Sequence, residues 1–300
     1  MFVIDAIAIC EVHCPFNLHY RPFYRYLAKL SSTTPMSTRT TVSDFSSAQY
    51  WSTRFTTETS FEWLLPSSKI IVFILGNFKP SSNKTVKCLH LGCGTSSLGL
   101  ELEEAFKQAM TTDGNDRNGD VQVVDTDYVA ESISSTTQLR PIIPLNALDL
   151  SDLIRNSGDG WTLIIDKSTA DAISCGPLIG DIEPINVLCS NLAKVTKKGT
   201  RWISISYSSA RFTFLDAIME RGSHANEDRN IRVSVEGDGD ESKGGDAGTG
   251  GEEGGWKVVE RRFLASTSLP DGRRWRDESG VERVVFEPET GVWGWVLERV

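Results

Sequence analysis

The apolar positions of this chain fall into short β-rich runs separated by stretches with helical spacing. Val86–Leu91 is a run of the first kind. Beyond Gly92-Cys93-Gly94 the period changes: Leu98, Leu102, Ala105, Phe106 and Ala109 share one face at 3.6-residue spacing, with Glu101, Glu103 and Glu104 directed elsewhere. Val121–Val124 predicts a second strand ending at Asp125-Thr126-Asp127, and Thr162–Ile165 a third ending at Asp166. Arg201–Tyr207, where Trp202, Ile203 and Ile205 are set among serines, makes a fourth. Strands separated by helix-length segments need crossover connections, so the fold class is α/β: a Rossmann-like, mostly parallel sheet with helices on both faces. Trp256–Leu264 and Val292–Val300 are strand-like again, with Val284–Phe286 a further short candidate. These would complete the sheet as a terminal antiparallel hairpin around 265–291. The apolar run Ile70–Leu75 is far short of the roughly 20 residues of a membrane-spanning helix and predicts a buried element.

Two segments break the alternation. Gly237–Gly255 is mostly Gly, Asp and Glu and cannot bury enough apolar surface to offset its ordering entropy, so it reads as a disordered acidic insertion. Residues 1–48 are a basic extension: no acid occurs from Val12 to Ser43, while Arg21, Arg25, Lys29 and Arg39 sit among aromatics, Ser and Thr. That composition suits a mitochondrial transit peptide or a plain disordered tail, with Met36 a second possible start. The folded domain is expected over 49–300, in the cytoplasm, or in mitochondria if the extension is a targeting signal.

A net charge of −9 argues against general nucleic-acid binding, which needs clustered cations. No membrane partner is expected, and a monomer is. The six cysteines, Cys10, Cys14, Cys88, Cys93, Cys175 and Cys189, show neither CxxC pairs nor nearby histidines, so free thiols and no metal site are expected.

In an open parallel sheet, ligands bind beyond the carboxyl ends of the strands. Gly92 and Gly94 stand there, where the backbone turns sharply and a Cβ would hold a ligand away. Thr95 and Ser96 can cap the next helix. Ser97 occupies the third glycine position of a dinucleotide fingerprint, which counts against a nicotinamide-dependent oxidoreductase. A carboxylate after strand two can accept both hydroxyls of a ribose; Asp127 is the first candidate and Asp125 competes. Asp149 could receive an adenine amino group with Leu150 against the ring, or could be an ordinary helix N-cap.

Taken together, these residues resemble a known family. His90-Leu91-Gly92-Cys93-Gly94-Thr95-Ser96-Ser97-Leu98 is similar to the methyltransferase glycine loop LGCGNSxL. Asp127-Tyr128 resembles its DYS or DFS segment after strand two, Asp149-Leu150 its acid-containing segment before strand four, and Asp166-Lys167-Ser168-Thr169-Ala170-Asp171-Ala172-Ile173 its DKGTLDAL stretch. Upstream, Tyr50-Trp51-Ser52-Thr53-Arg54-Phe55 and Phe61-Glu62-Trp63 resemble YWDxRY and YEWF. The family is that of the elongation-factor-1-alpha lysine and N-terminal methyltransferases, with the citrate synthase lysine methyltransferase a relative. Thr95 replaces the usual Asn, Ser168 the Gly of DKG, and Ser52 an Asp.

The resemblance implies S-adenosylmethionine as cofactor and a seven-stranded sheet closed by a reversed last strand. It implies that Tyr50, Trp51 and Arg54 cover the methionine end and that Gly92, Cys93 and Gly94 admit the cofactor to the backbone. Asp127 and Tyr128 would hold the ribose, Asp149 and Leu150 the adenine, and Asp166 and Lys167 would line the opening. The expected activity is protein-lysine methylation, on a protein such as a translation elongation factor or a mitochondrial enzyme. A small-molecule or N-terminal methyltransferase and a non-catalytic cofactor-binding scaffold are the alternatives. Trp63, Tyr207 and Phe212, near strand ends or in the upstream segment, are expected to wall the acceptor channel, with Asp166 orienting the amine.

Overall fold

A computed structural model describes residues 44–58, 60, 62–79, 85–111, 120–133, 140–216, 255–266, 273–276, 282–285 and 291–300. The basic extension up to residue 43 and residues 237–254 of the acidic insertion lie outside the described residues.

Strands β1 (Val86–Leu91), β2 (Val121–Asp127), β3 (Ile143–Pro144), β4 (Trp161–Lys167) and β5 (Thr196–Ser206) are parallel to one another. β6 (Trp256–Ser266) and β9 (Gly291–Arg299) follow, and the sheet order is β3-β2-β1-β4-β5-β9-β6. β9 is antiparallel to both β5 and β6, so the reversed last strand lies inside the sheet. The expected strand near 284–286 exists as β8 (Glu282–Val285), but it pairs with β7 (Arg273–Arg276) in a separate two-stranded ribbon and does not extend the main sheet.

The helices are α1 (Ala48–Phe55), α2 (Ser67–Asn77), α3 (Leu98–Thr111), α4 (Leu150–Ser157), α5 (Thr169–Ser174) and α6 (Pro184–Lys194). Strand alternation sends Cys88, Val123, Leu163 and Ile203 to one face, where Ile70, Phe73 and Ile74 of α2 and Leu98, Leu102 and Phe106 of α3 cover them. Leu89, Ile164, Trp202 and Trp295 go to the other face, under Leu153, Ile185, Leu188 and Leu192 of α4 and α6. Each face of the parallel core is therefore dry, which is why its strands read as near-continuous apolar runs. The apolar face of α3 ends on Met110 rather than Ala109, which is exposed. The Ile70–Leu75 run is helical; it buries Ile70, Phe73 and Ile74 and leaves Val72 exposed.

Among the described residues Cys88, Cys93 and Cys189 are free and buried. Among the described residues no helix is long and apolar enough to cross a membrane.

Candidate active site

The order of the sheet reverses between β1, which leads outward to β2 and β3, and β4, which leads to β5. A cavity of about 330 Å³ opens at the carboxyl ends of these strands. One side of it is the glycine loop. Gly92 and Gly94 have φ of +61° and +52°, and a Cβ on Gly94 would press on the Phe55 ring at 3.3 Å. The loop is held by Asp127, whose Oδ2 accepts from the Gly94 N–H and Oδ1 from the Val129 N–H, each at 3.0 Å. Burial raises the Asp127 carboxyl above its ordinary range, and these N–H donors offset part of the rise. Tyr128, also on the cavity wall, is 40% exposed and stands beside it.

Asp125 takes no part in the cavity. Its Oδ1 pairs with His90 Nδ1 at 2.7 Å and its Oδ2 lies 3.5 Å from Arg140 Nε, beneath α3. Only a glycine at position 99 leaves room for that carboxylate. Of the two acids, Asp127 is the one that lines the cavity.

Lys167, at the end of β4, lines the cavity, pairs with Glu62 and donates to Ser96 Oγ at 3.0 Å. Glu62 also accepts from Ser96 Oγ at 2.9 Å and from the Ser97 N–H at 3.1 Å, which caps the start of α3. Burial pulls the Glu62 carboxyl upward, but Lys167 and the serine donors outweigh it and hold it below the ordinary carboxylate range. Glu62 thus ties the upstream segment, the glycine loop and β4 together. Its place in the Phe61-Glu62-Trp63 segment gives no local sign of this role, because Lys167 lies 105 residues away.

Between the upstream segment and β5, aromatics close the remaining side. The Trp51 indole N–H donates to the Phe45 carbonyl at 2.7 Å, and the Phe45 and Trp63 rings lie 6.4 Å apart, edge to face. Phe45, Trp51, Trp63 and Tyr207 all line the cavity. Phe45 falls within the stretch expected to be an extension, so the folded region begins before residue 49. Tyr50 and Arg54 stand behind the wall: Arg54 Nη1 donates to Tyr50 Oη at 2.9 Å, and its guanidinium lies 4.7 Å from the Trp63 ring centroid. At the mouth, Leu178 and Ile179 are half exposed on a turn closed by pairing of Ile179 with Ile182.

Three expectations are corrected. Asp149 is the N-cap of α4, accepting from the Ser151 N–H at 2.9 Å; neither it nor Leu150 lines the cavity, and Asn146, Ala147 and Leu148 stand there instead. Phe212 is fully buried against Trp202 and Trp295, at ring distances of 5.0 and 5.6 Å, because its segment folds back under β5. Asp166 is also fully buried, and strand alternation turns it away from the cavity. It accepts from the Ala170 N–H at 3.0 Å and from the Trp202 indole at 2.7 Å, so it cannot orient an incoming group. The Ser168 that replaces a family glycine keeps the left-handed backbone, at φ +65°.

Burial is the largest influence on Asp166 and raises its carboxyl to about 6, the two hydrogen bonds pulling it partly back. The folded protein therefore keeps this proton to higher pH than the unfolded chain. The contribution to stability is complete below about pH 4 and is lost as pH rises through 6. Relative to Asp166→Asn, the wild type should lose about 1.4 kcal/mol between pH 5 and 7.5 in urea denaturation. A difference that stays constant over that range would mean Asp166 titrates as an ordinary carboxylate.

No family model matches the chain. Methyltransferase srdJ of Neurospora crassa is 31% identical over 194 residues, covering 62% of this chain and 73% of that protein. The chain belongs to the S-adenosylmethionine-dependent methyltransferases. Among solved structures, a methyltransferase of Anabaena variabilis has a TM-score of 0.44 at 12% identity, covering 90% of this chain and 99% of that one. N-methyltransferase NodS of Bradyrhizobium japonicum has a TM-score of 0.37 at 11% identity, covering 84% and 97%. Likenesses of this size say nothing about the acceptor. The residues present suit the methyltransferase cofactor: a backbone cradle at Gly92–Gly94, a carboxylate at Asp127 with lone pairs left for a ribose, and a largely apolar slot at Ala147 and Leu148 for a base.

Proposed function

We propose that this methyltransferase acts on the side-chain amine of a lysine in another protein. The observation that carries the reading is the size and lining of the cavity. At about 330 Å³ it sits at the low end of the roughly 300–1,000 Å³ of pockets that hold one drug-sized ligand. With the cofactor in place, little room is left for a bulky second molecule. A long, thin side chain entering from outside suits what remains, along the wall formed by Phe45, Trp63 and Tyr207.

The cofactor supplies, when bound, a methyl group on a sulfonium for in-line displacement. The protein's task is alignment and the state of the amine. A lysine of pKa about 10.4 is neutral in roughly one molecule in a thousand at neutral pH, a handicap of about 4 kcal/mol. An apolar, aromatic channel penalises the ammonium and so lowers that pKa. The exposed apolar turn at Leu178 and Ile179 supports contact with a protein surface. The resemblance suggests an elongation factor or a mitochondrial enzyme as that protein.

A second reading, a small neutral acceptor, is favoured by the removal of Asp166 from the cavity. One experiment separates the two. The protein is incubated with methyl-labelled cofactor and a protein-depleted or metabolite-depleted lysate, and modified peptides are mapped by mass spectrometry. Label on a lysine is expected; label confined to the metabolite fraction would sink the lysine reading.

A further inference from the structure

An amine acceptor needs a hydrogen-bond acceptor to hold it, and Asp166 is turned into the core. Among the described residues lining the cavity, the carboxylates belong to Glu58, Asp127 and Asp171. Asp127 accepts from the Gly94 N–H on one oxygen and from the Val129 N–H on the other, and its remaining lone pairs suit the ribose of the cofactor. Asp171 accepts from Ser206 Oγ and Arg211 Nε on one oxygen and from the Tyr207 N–H on the other.

Glu58 differs. Its Oε2 accepts from Arg54 Nε at 2.5 Å, whereas its Oε1 is buried and receives no hydrogen bond. A buried carboxylate oxygen without a donor carries a desolvation penalty that a ligand's N–H would relieve. The side chain is also placed, rather than loose. Arg54 is fixed by Tyr50 Oη and lies 4.7 Å from the centroid of Trp63 and 5.8 Å from that of Trp51. Glu58 is therefore anchored by Arg54 on the aromatic side of the cavity.

We propose that Glu58 is the acceptor-binding carboxylate: its Oε1 accepts a hydrogen bond from the incoming amine and holds it along the Trp63 wall. This rests on the amine reading above. Because Arg54 already balances the charge of Glu58, the group positions an amine without having to trap an ammonium, which would be a poor nucleophile.

The test needs no knowledge of the natural acceptor. Two adenosyl analogues are titrated calorimetrically, each with nitrogen in place of the sulfonium sulfur. One carries a four-carbon arm ending in an amine, the other the same arm ending in a methyl group. In wild type the amine-ended compound should bind about tenfold more tightly. In Glu58→Gln, which keeps an oxygen for Arg54, that ratio should fall towards one, and Glu58→Asp should recover part of it. Using the ratio cancels any general change in cofactor affinity. A ratio kept in Glu58→Gln overturns the assignment of Glu58 alone. If that variant weakens both compounds equally, Glu58 serves the cofactor and the proposal also fails. A ratio near one in wild type overturns the amine reading together with it.

Discussion

Replacing Asp127 by alanine should weaken binding of S-adenosylhomocysteine about 100-fold. The carboxylate sits at the end of β2 with one lone pair on each oxygen used by the Gly94 and Val129 N–H groups. The remaining lone pairs would be free to accept from a ribose, and a hydrogen bond to a charged group contributes about 1.5–3 kcal/mol. Two such bonds, less what water recovers in an open cavity, leave about 2.7 kcal/mol, the equivalent of that factor. The Gly94 N–H also loses the acceptor that fixes the loop, which adds to the loss. Calorimetric titration gives the affinity, and circular dichroism checks that the fold is kept. An affinity within threefold of wild type would place the ribose elsewhere.

Asp171→Ala should cost about 3–5 kcal/mol of stability in urea denaturation. Asp171 and Arg211 form a pair in which both side chains are almost wholly out of water, at 2.8 Å. Removing the carboxylate leaves a buried guanidinium with its main partner gone and takes the acceptor from the Tyr207 N–H at 3.1 Å. The loss is a large part of the roughly 5–15 kcal/mol that holds a domain folded. Since the same carboxylate ties α5 to the end of β5, the position of Tyr207 on the cavity wall depends on it. A loss below 1 kcal/mol would mean that water reaches Arg211.

The sheet was legible in the sequence because its parallel strands are buried on both faces and end in polar residues that cannot be buried cheaply. Gly92, Gly94 and Asp127 were legible for the same reason: at a strand end, backbone freedom and a lone carboxylate have few other uses. Asp149 and Asp166 show where that logic stops. Both are acids at strand or helix ends, but one caps α4 and the other is claimed by the Trp202 indole, a partner 36 residues away. Which face a terminal strand residue takes depends on a neighbour that local spacing does not reveal. Glu62 was missed because its partner, Lys167, becomes a neighbour only when the upstream segment folds across the sheet, and Glu58 because its local pairing with Arg54 does not reveal that it faces the cavity. β3 was missed because two residues carry no period.

The placing of β9 has a consequence for how the molecule assembles. β6 is made earlier in the chain yet touches the parallel strands only through β9, so it has nothing to pair with until residues 291–299 arrive. The long stretch between them must close as a loop before the reward of pairing is collected, and non-local closures of this kind are slow. Until then β5 presents an open edge. β9 thus acts as a keystone, and any lesion in it should free two strands rather than one.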